Sequence, residues 1–194
     1  MTFPELRNLV LQARSYRRFI EADPIPPQLV RELIDLVRFV PSAANQQPLR
    51  YRIVTDPAEC NLVFPHTKWA GALKNWPGPQ PGQRPTAYVV ILAAAGKTPA
   101  TDVGIAAQTL QLAATAHGYA ACMLGAIDRP SIHAALGLPK DLDIQLLVAL
   151  GRPGETITLE PLPESGSTAY WRSEDQTHHV PKRSLDEVLV SRGQ

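Results

Sequence analysis

The sequence predicts an α/β or α+β sandwich built on one sheet, and three observations carry that prediction. Four short apolar segments read as strands and are interleaved with helical patterns. One of them, Ala87 to Ala94, is an almost unbroken apolar run, as expected of a central strand covered on both faces. The 194 residues suit a single domain, and a hydrophobic fraction of 44% with 19% charged residues, against ~25% in ordinary soluble domains, supplies a sizeable core.

Each element follows from local chemistry. Thr2 and Glu5 fit a capping box with Pro4 in the first turn, and Leu6, Leu9, Val10 and Ala13 recur at helical spacing to about Arg14. Pro26 and Pro27 open a second helix whose face is Val30, Leu33, Ile34 and Val37; Pro41 disfavours helical geometry at Val40 and closes it. Tyr51 to Thr55 reads as a strand, and Asp56 with Pro57 as a turn. From Cys60 to Pro85 prolines, glycines and aromatics make an excursion with at most one short helix around Lys68 to Leu73; ordered loops of that length are commonly lids or binding segments. Asp102 to His117, nearly uncharged and ended by Gly118, reads as a core helix. Tyr119 to Leu124 is a strand, Pro130 to Leu136 a short helix, and Ile144 to Leu150 the last strand. The tail from about Thr156 is too polar for a core of its own and ends in an amphipathic segment, Ser184 to Val190, suited to packing on a partner subunit.

Composition excludes several classes of function. The net charge is +1, and no zinc-finger or RNP-like pattern occurs, so nucleic-acid binding is not expected. No apolar stretch approaches the ~20 residues that span a bilayer, and the N-terminus lacks a signal-peptide pattern, so a cytoplasmic protein is expected. Cys60 and Cys122 have no metal or disulfide spacing and read as two buried thiols. His178 and His179 point apart in extended chain, so no metal site is expected. No P-loop, GxSxG, HExxH or GxGxxG motif is present.

What stands out is arginine: 14 against five lysines. Arg14, Ser15, Arg17 and Arg18 follow the first helix, and Lys182 with Arg183 precede the last; together they could hold a dianionic phosphate. The segment Pro41-Ser-Ala-Ala-Asn-Gln-Gln-Pro48 combines small residues, which let backbone approach a flat ligand, with amides able to reach its rim; a polar helix-stop loop would read the same way.

In order and spacing, Arg14 to Phe19, Pro41 to Pro48, Asp102 to Gln108, Gly118 to Gly125, Leu147 to Pro153 and Val180 to Arg183 resemble the FMN-dependent nitroreductase family, over nearly the whole chain from Leu6 to Val190. The resemblance implies an α+β three-layer sandwich, a central mostly antiparallel sheet flanked by helices, in a homodimer whose C-terminal segments, here 156–194, are exchanged between subunits. It implies bound FMN, with NADH or NADPH as donor and a small flat acceptor such as a nitroaromatic or quinone, reduced by ping-pong hydride transfer through flavin N5. Variants of the family act as dehydrogenases, ene reductases or dehalogenases, and storage of FMN without turnover is the alternative.

Carried over by position, Arg14, Ser15 and Arg17 would hold the flavin phosphate, ribityl chain and pyrimidine edge, with Lys182 and Arg183 completing the phosphate site. Pro41, Ser42, Ala43 and Asn45 would come from the partner chain, and the Leu124-Gly125 backbone would face N5 and O4. No side chain need be a nucleophile or general acid. Phe64, His66, Trp69 and Trp76 are the candidate walls of a substrate pocket, since aromatic faces suit flat substrates. One departure stands out: the family carries two basic residues immediately before the serine, and the first of them is Ala13 here.

Overall fold

The computed structural model describes residues 1–190; the last four residues of the expected C-terminal extension lie outside that description. By its contacts the chain forms two compact units. One comprises Met1–Trp69 with Pro77–Gly154, the other Ala70–Trp76 with the chain from Glu155 onward.

The first unit is a three-layer sandwich. Its sheet joins β1 (Arg50–Val54), β2 (Ala87–Ala94), β3 (Ala120–Leu124) and β4 (Leu142–Gly151) in the order β1-β2-β4-β3, every pair antiparallel. β2 and β4 are central, which explains why β2 reads as a continuous apolar run: Ala87 through Ala93 are all buried. Helix α2 (Pro27–Val37) and helix α4 (Ala100–Ala116) cover one face. Val30, Leu33 and Val37 meet Ala106, Ala107, Leu110 and Ala114 over Val89, Ile91, Val148 and Leu150. Helix α3 (Pro57–Val63) packs against β2 and against α5 (Arg129–Ala135). Helix α1 (Phe3–Gln12) carries the expected capping box, packs on α4, and buries none of its own residues fully.

Two sequence expectations are corrected here. Asp56 and Pro57 do not make a turn; the Asp56 side chain accepts the Glu59 N–H and Pro57 occupies the first helical position, which is how α3 begins. Lys68 to Leu73 forms no helix. After α3 a 3-10 turn at Phe64–His66 gives way to extended chain at Thr67, and Ala70 stands at φ 48°, outside right-handed helical geometry.

The second unit also departs from expectation, because a second sheet exists. β5 (Ile157–Pro161), β6 (Trp171–Arg172) and β7 (His178–Lys182) pair in the order β5-β7-β6, and α6 (Leu185–Val188) follows behind a Ser184 capping box. Strands this short, broken by prolines, leave no periodic apolar signal. The interior is polar rather than oily. Arg172 and Glu155 form an ion pair at 2.7 Å with side chains 8% and 1% exposed, and His178 is fully buried against the Tyr170 ring. His178 and His179 do face opposite ways: His179 stacks on Trp171 at 4.0 Å and meets the Glu160 carboxylate at 3.0 Å. The Ala70–Trp76 strand of chain joins this unit through a Tyr170 hydroxyl that accepts the Ala72 N–H and an Arg172 guanidinium 4.2 Å over the Trp76 ring.

Candidate functional site

Three stretches of the first unit gather the residues singled out by sequence. The first is Arg14 to Arg18, an extended strap beside the outer edge of β3. Ser15 bridges Ala121 in parallel, and the Tyr16 N–H donates to the Ala121 carbonyl at 3.1 Å. Phe19, 1% exposed, anchors the strap's far end: its N–H donates to Gln83, the Ile20 N–H to Arg152, and the Gly154 N–H to the Arg18 carbonyl. Leu124 and Gly125 lie at the C-terminal end of the same β3, three residues beyond Ala121.

Backbone carbonyls accept hydrogen bonds from Arg14 and Arg17. Arg14 donates from Nε to the Ala13 carbonyl and from a terminal nitrogen to the Val10 carbonyl, both at 2.8 Å, closing the end of α1. Partial burial pulls its pKa down, with the nearby Tyr16 acting the other way. No carboxylate lies within ion-pair distance of Arg14 among the described residues. A partly dehydrated guanidinium with a carbonyl-only environment retains donors for an anion. Arg17 donates to the Ser15 carbonyl at 3.2 Å. Ala13 is 3% exposed, so the departure from two basic residues occupies a sealed position in this chain.

The second stretch is the loop Pro41–Pro48. A 3-10 turn covers Ala43–Asn45, and Ala44, Asn45 and Gln47 all have positive φ (48°, 52° and 47°). For a residue other than glycine the left-handed region costs on the order of 1 kcal/mol, so the surroundings must impose it. Two fasteners do so: the Ser42 hydroxyl accepts the Gln47 N–H at 2.9 Å, and the Asp102 carboxylate accepts the Ala43 N–H at 3.2 Å. Ala43, Ala44 and Asn45 themselves are exposed. Beneath them a cavity of about 340 Å3 is lined by Val37, Pro41, Ser42, Gln47, Tyr51 and Asp102. Burial, with the Asp102 charge second, raises the Tyr51 pKa.

The third stretch is Phe64–Trp69, which runs against the chain leaving β3. The Lys68 N–H donates to the Ala126 carbonyl and the Asp128 N–H to the His66 carbonyl, at 3.0 and 2.9 Å, with Thr67 bridging Ile127. His66 and Trp69 are thereby tied to the segment that begins at Leu124-Gly125. Trp69 is buried, donating to the Thr67 hydroxyl at 2.8 Å and packing under Gly78. Phe64 lies between the Trp69 ring, 6.3 Å away, and the Arg84 guanidinium, 4.2 Å away. Trp69 supports the loop from below, while Phe64 and His66 are both half-buried.

Trp76, Lys182 and Arg183 belong to the second unit. Lys182 ends β7, its carbonyl accepting the Leu162 N–H, and Arg183 pairs with Glu187 at 3.6 Å on the surface. Asp102, first of the Asp102–Gln108 motif, is not among the residues the resemblance places at the flavin, yet its carboxylate holds the Ala43 N–H. The available signal was a lone acid in an otherwise uncharged helix start.

The comparisons agree with this architecture. The model of the Nitroreductase family matches residues 10–152. An NADH dehydrogenase of Thermus thermophilus is 31% identical over 187 residues, covering 79% of this chain and 90% of its own. Among solved structures, a nitroreductase family protein from Clostridium difficile superposes with a TM-score of 0.68 at 16% identity over 100% of both chains. An FMN-dependent nitroreductase from Mycobacterium smegmatis, solved with NADPH, gives 0.59 at 21% identity over 76% of this chain and 88% of that one. No helix among the described residues is long and apolar enough to cross a membrane. With a strap, a strained loop and a strand end set around one antiparallel sheet, and a family match over most of its length, the chain belongs to the nitroreductase family.

Proposed function

We propose that this protein is an FMN-dependent oxidoreductase that draws electrons from NADH or NADPH and passes them to a small flat acceptor of the nitroaromatic or quinone kind. The observation that carries the reading is the strap: it fixes Arg14, Ser15 and Arg17 along the edge of the strand that ends in Leu124-Gly125. That donor set fits a phosphorylated flavin. Arg14 is a partly desolvated cation without a carboxylate, Ser15 offers a hydroxyl, and Gly125 leaves the strand end free of side chain.

Under this reading Arg14 and Ser15 hold phosphate and ribityl oxygens, and Arg17 places positive charge at the pyrimidine edge, where negative charge develops on reduction. Lys182 and Arg183 remain candidate phosphate ligands from the second unit. Pro41, Ser42, Ala43 and Asn45 serve the flavin of a second copy, so the working unit is a homodimer, with the C-terminal extension, described from 156 to 190, packed on the partner. Bound FMN would supply the redox chemistry, accepting a hydride from the nicotinamide and giving it to the acceptor. His66 faces the acceptor, while Phe64 and Trp69 hold that wall in place; Trp76 remains a candidate wall from the second unit. The compact, cytoplasmic setting expected from sequence suits a soluble donor.

The test is direct. Purified protein given excess FMN is expected to retain a flavin spectrum, to bleach anaerobically with NADH or NADPH, and to recolour on adding a quinone. No retained flavin sinks the reading. Retained flavin that neither nucleotide bleaches favours storage without turnover. Light scattering at twice the 21.2 kDa chain mass checks the dimer.

A further inference from the structure

Asp102 is a buried charge for which the flavin reading assigns no duty. It is 6% exposed, a buried polar residue like Gln111 and His178. Burying a carboxylate is unfavourable unless it is hydrogen-bonded or faces positive potential. Asp102 has both. It sits in the first turn of α4, where the helix N-terminal end favours an anion, and it accepts the Ala43 N–H at 3.2 Å across 59 residues of sequence.

The position of that acceptor matters more than its strength. Ala43 opens the turn whose next residues, Ala44 and Asn45, are left-handed, and Ala44 has no polar side chain to offset its own strain. Ser42 closes the loop on itself through Gln47, whereas Asp102 joins the loop to the core helix. The loop is therefore clamped at its start by a group that does not belong to it.

We infer that Asp102 is a positioning residue for flavin binding: its carboxylate fixes the backbone shape of Ala43–Asn45 and so sets FMN affinity without touching the flavin. The inference rests on the FMN reading above and adds to it a residue outside the flavin contact set.

Five proteins test it: wild type, Asp102→Leu, Ala43→Pro, the double variant, and Asp102→Asn as the conservative replacement. Ala43→Pro deletes the same hydrogen bond from the donor side and leaves Asp102 in place. Proline is tolerated there because Ala43 is the first residue of the turn and Ser42 before it is extended (φ −132°, ψ 144°). FMN dissociation constants, the visible flavin band and thermal melting are recorded for each.

Loss of a charge-assisted hydrogen bond predicts FMN binding about tenfold or more weaker in each single variant. The double variant is expected to be no weaker than the worse single, since both remove one interaction. Asp102→Asn, whose amide oxygen still accepts, should stay nearer to wild type. A loop that is merely loosened changes the Ala43 amide exchange rate in the absence of flavin, and that rate should rise in Asp102→Leu. Folded variants with wild-type FMN affinity overturn the inference, as do losses in Asp102→Leu and Ala43→Pro that multiply in the double variant. If wild type itself retains no FMN, the function reading falls and the positioning role with it, while the flavin-free exchange experiment still reports whether the clamp exists.

Discussion

A Cβ added at Gly154 would lie 2.7 Å from the Phe19 carbonyl carbon, closer than any real contact of that kind. Gly151 meets the Phe19 ring in the same way, at 2.9 Å. The arginine strap therefore owes its path to two glycines more than 130 residues away, and the dipeptide turn that follows β4 is built around one buried phenylalanine.

Gly154→Ala is expected to destabilise the fold by about 1 to 3 kcal/mol, the usual range for overpacking a tight site. Urea denaturation followed by circular dichroism measures it. Gly104→Ala on α4, where an added methyl meets nothing within 4 Å, should instead be neutral or stabilising by up to roughly 1 kcal/mol. Equal effects at the two positions would contradict the packing described for Phe19.

Arg17→Ala should weaken FMN binding by roughly 1.5 to 3 kcal/mol, the range for a hydrogen bond to a charged group, with little change in melting temperature. Fluorescence titration of the flavin reads this directly. Unchanged affinity would move the pyrimidine edge away from Arg17.

Cys60 should be inert to thiol reagents in the native protein. Burial, then the Asp56 and Glu59 charges, push its thiol up to about 12, and the ring of Tyr88 nearby has its phenol raised by the same desolvation. The sign of the linkage follows. An unfolded cysteine ionises near ~8.5, so between that pH and about 12 the unfolded chain sheds a proton the folded one keeps, and stability falls as pH rises. Denaturation midpoints between pH 8 and 10 should decline, and the decline should shrink in Cys60→Ala.

The amides of Lys68 and Asp128 should exchange slowly with solvent, because each donates into the pairing between the His66 segment and the chain leaving β3. The neighbouring Asn75 and Lys74 amides, for which the loop offers exposed positions, serve as a fast reference. Hydrogen exchange resolved by NMR decides it; fast exchange at Lys68 would mean this wall of the candidate pocket is not held by the sheet.

The layers of the first unit were legible because their signals are periodic or punctuated. Val30, Leu33 and Val37 give a helical face, Ala87 to Ala94 a buried strand, and Thr2 with Glu5 a helix start. Asp56-Pro57 misled because the same two residues suit both a turn and a helix cap, and only Cys60 and Val63 packing inward decide between them. The second sheet was hidden for a different reason. Its centre is an Arg172–Glu155 pair and a buried His178, and charged residues in a short strand look like surface. Among the proposed site residues, Arg14, Ser15 and Arg17 were visible as a motif. The motif from Asp102 to Gln108 was visible too, but not the link from Asp102 to Ala43, which only the fold makes.

The tie between Ala72 and Tyr170, and between Trp76 and Arg172, has a practical corollary for anyone exchanging this loop between relatives. Residues 70–76 belong to the Pro- and Gly-rich excursion, yet they are stitched to positions almost a hundred residues downstream. A graft of that segment alone would arrive without its stitches. Moving 70–76 together with 170–172 treats the two as the single cassette they physically form.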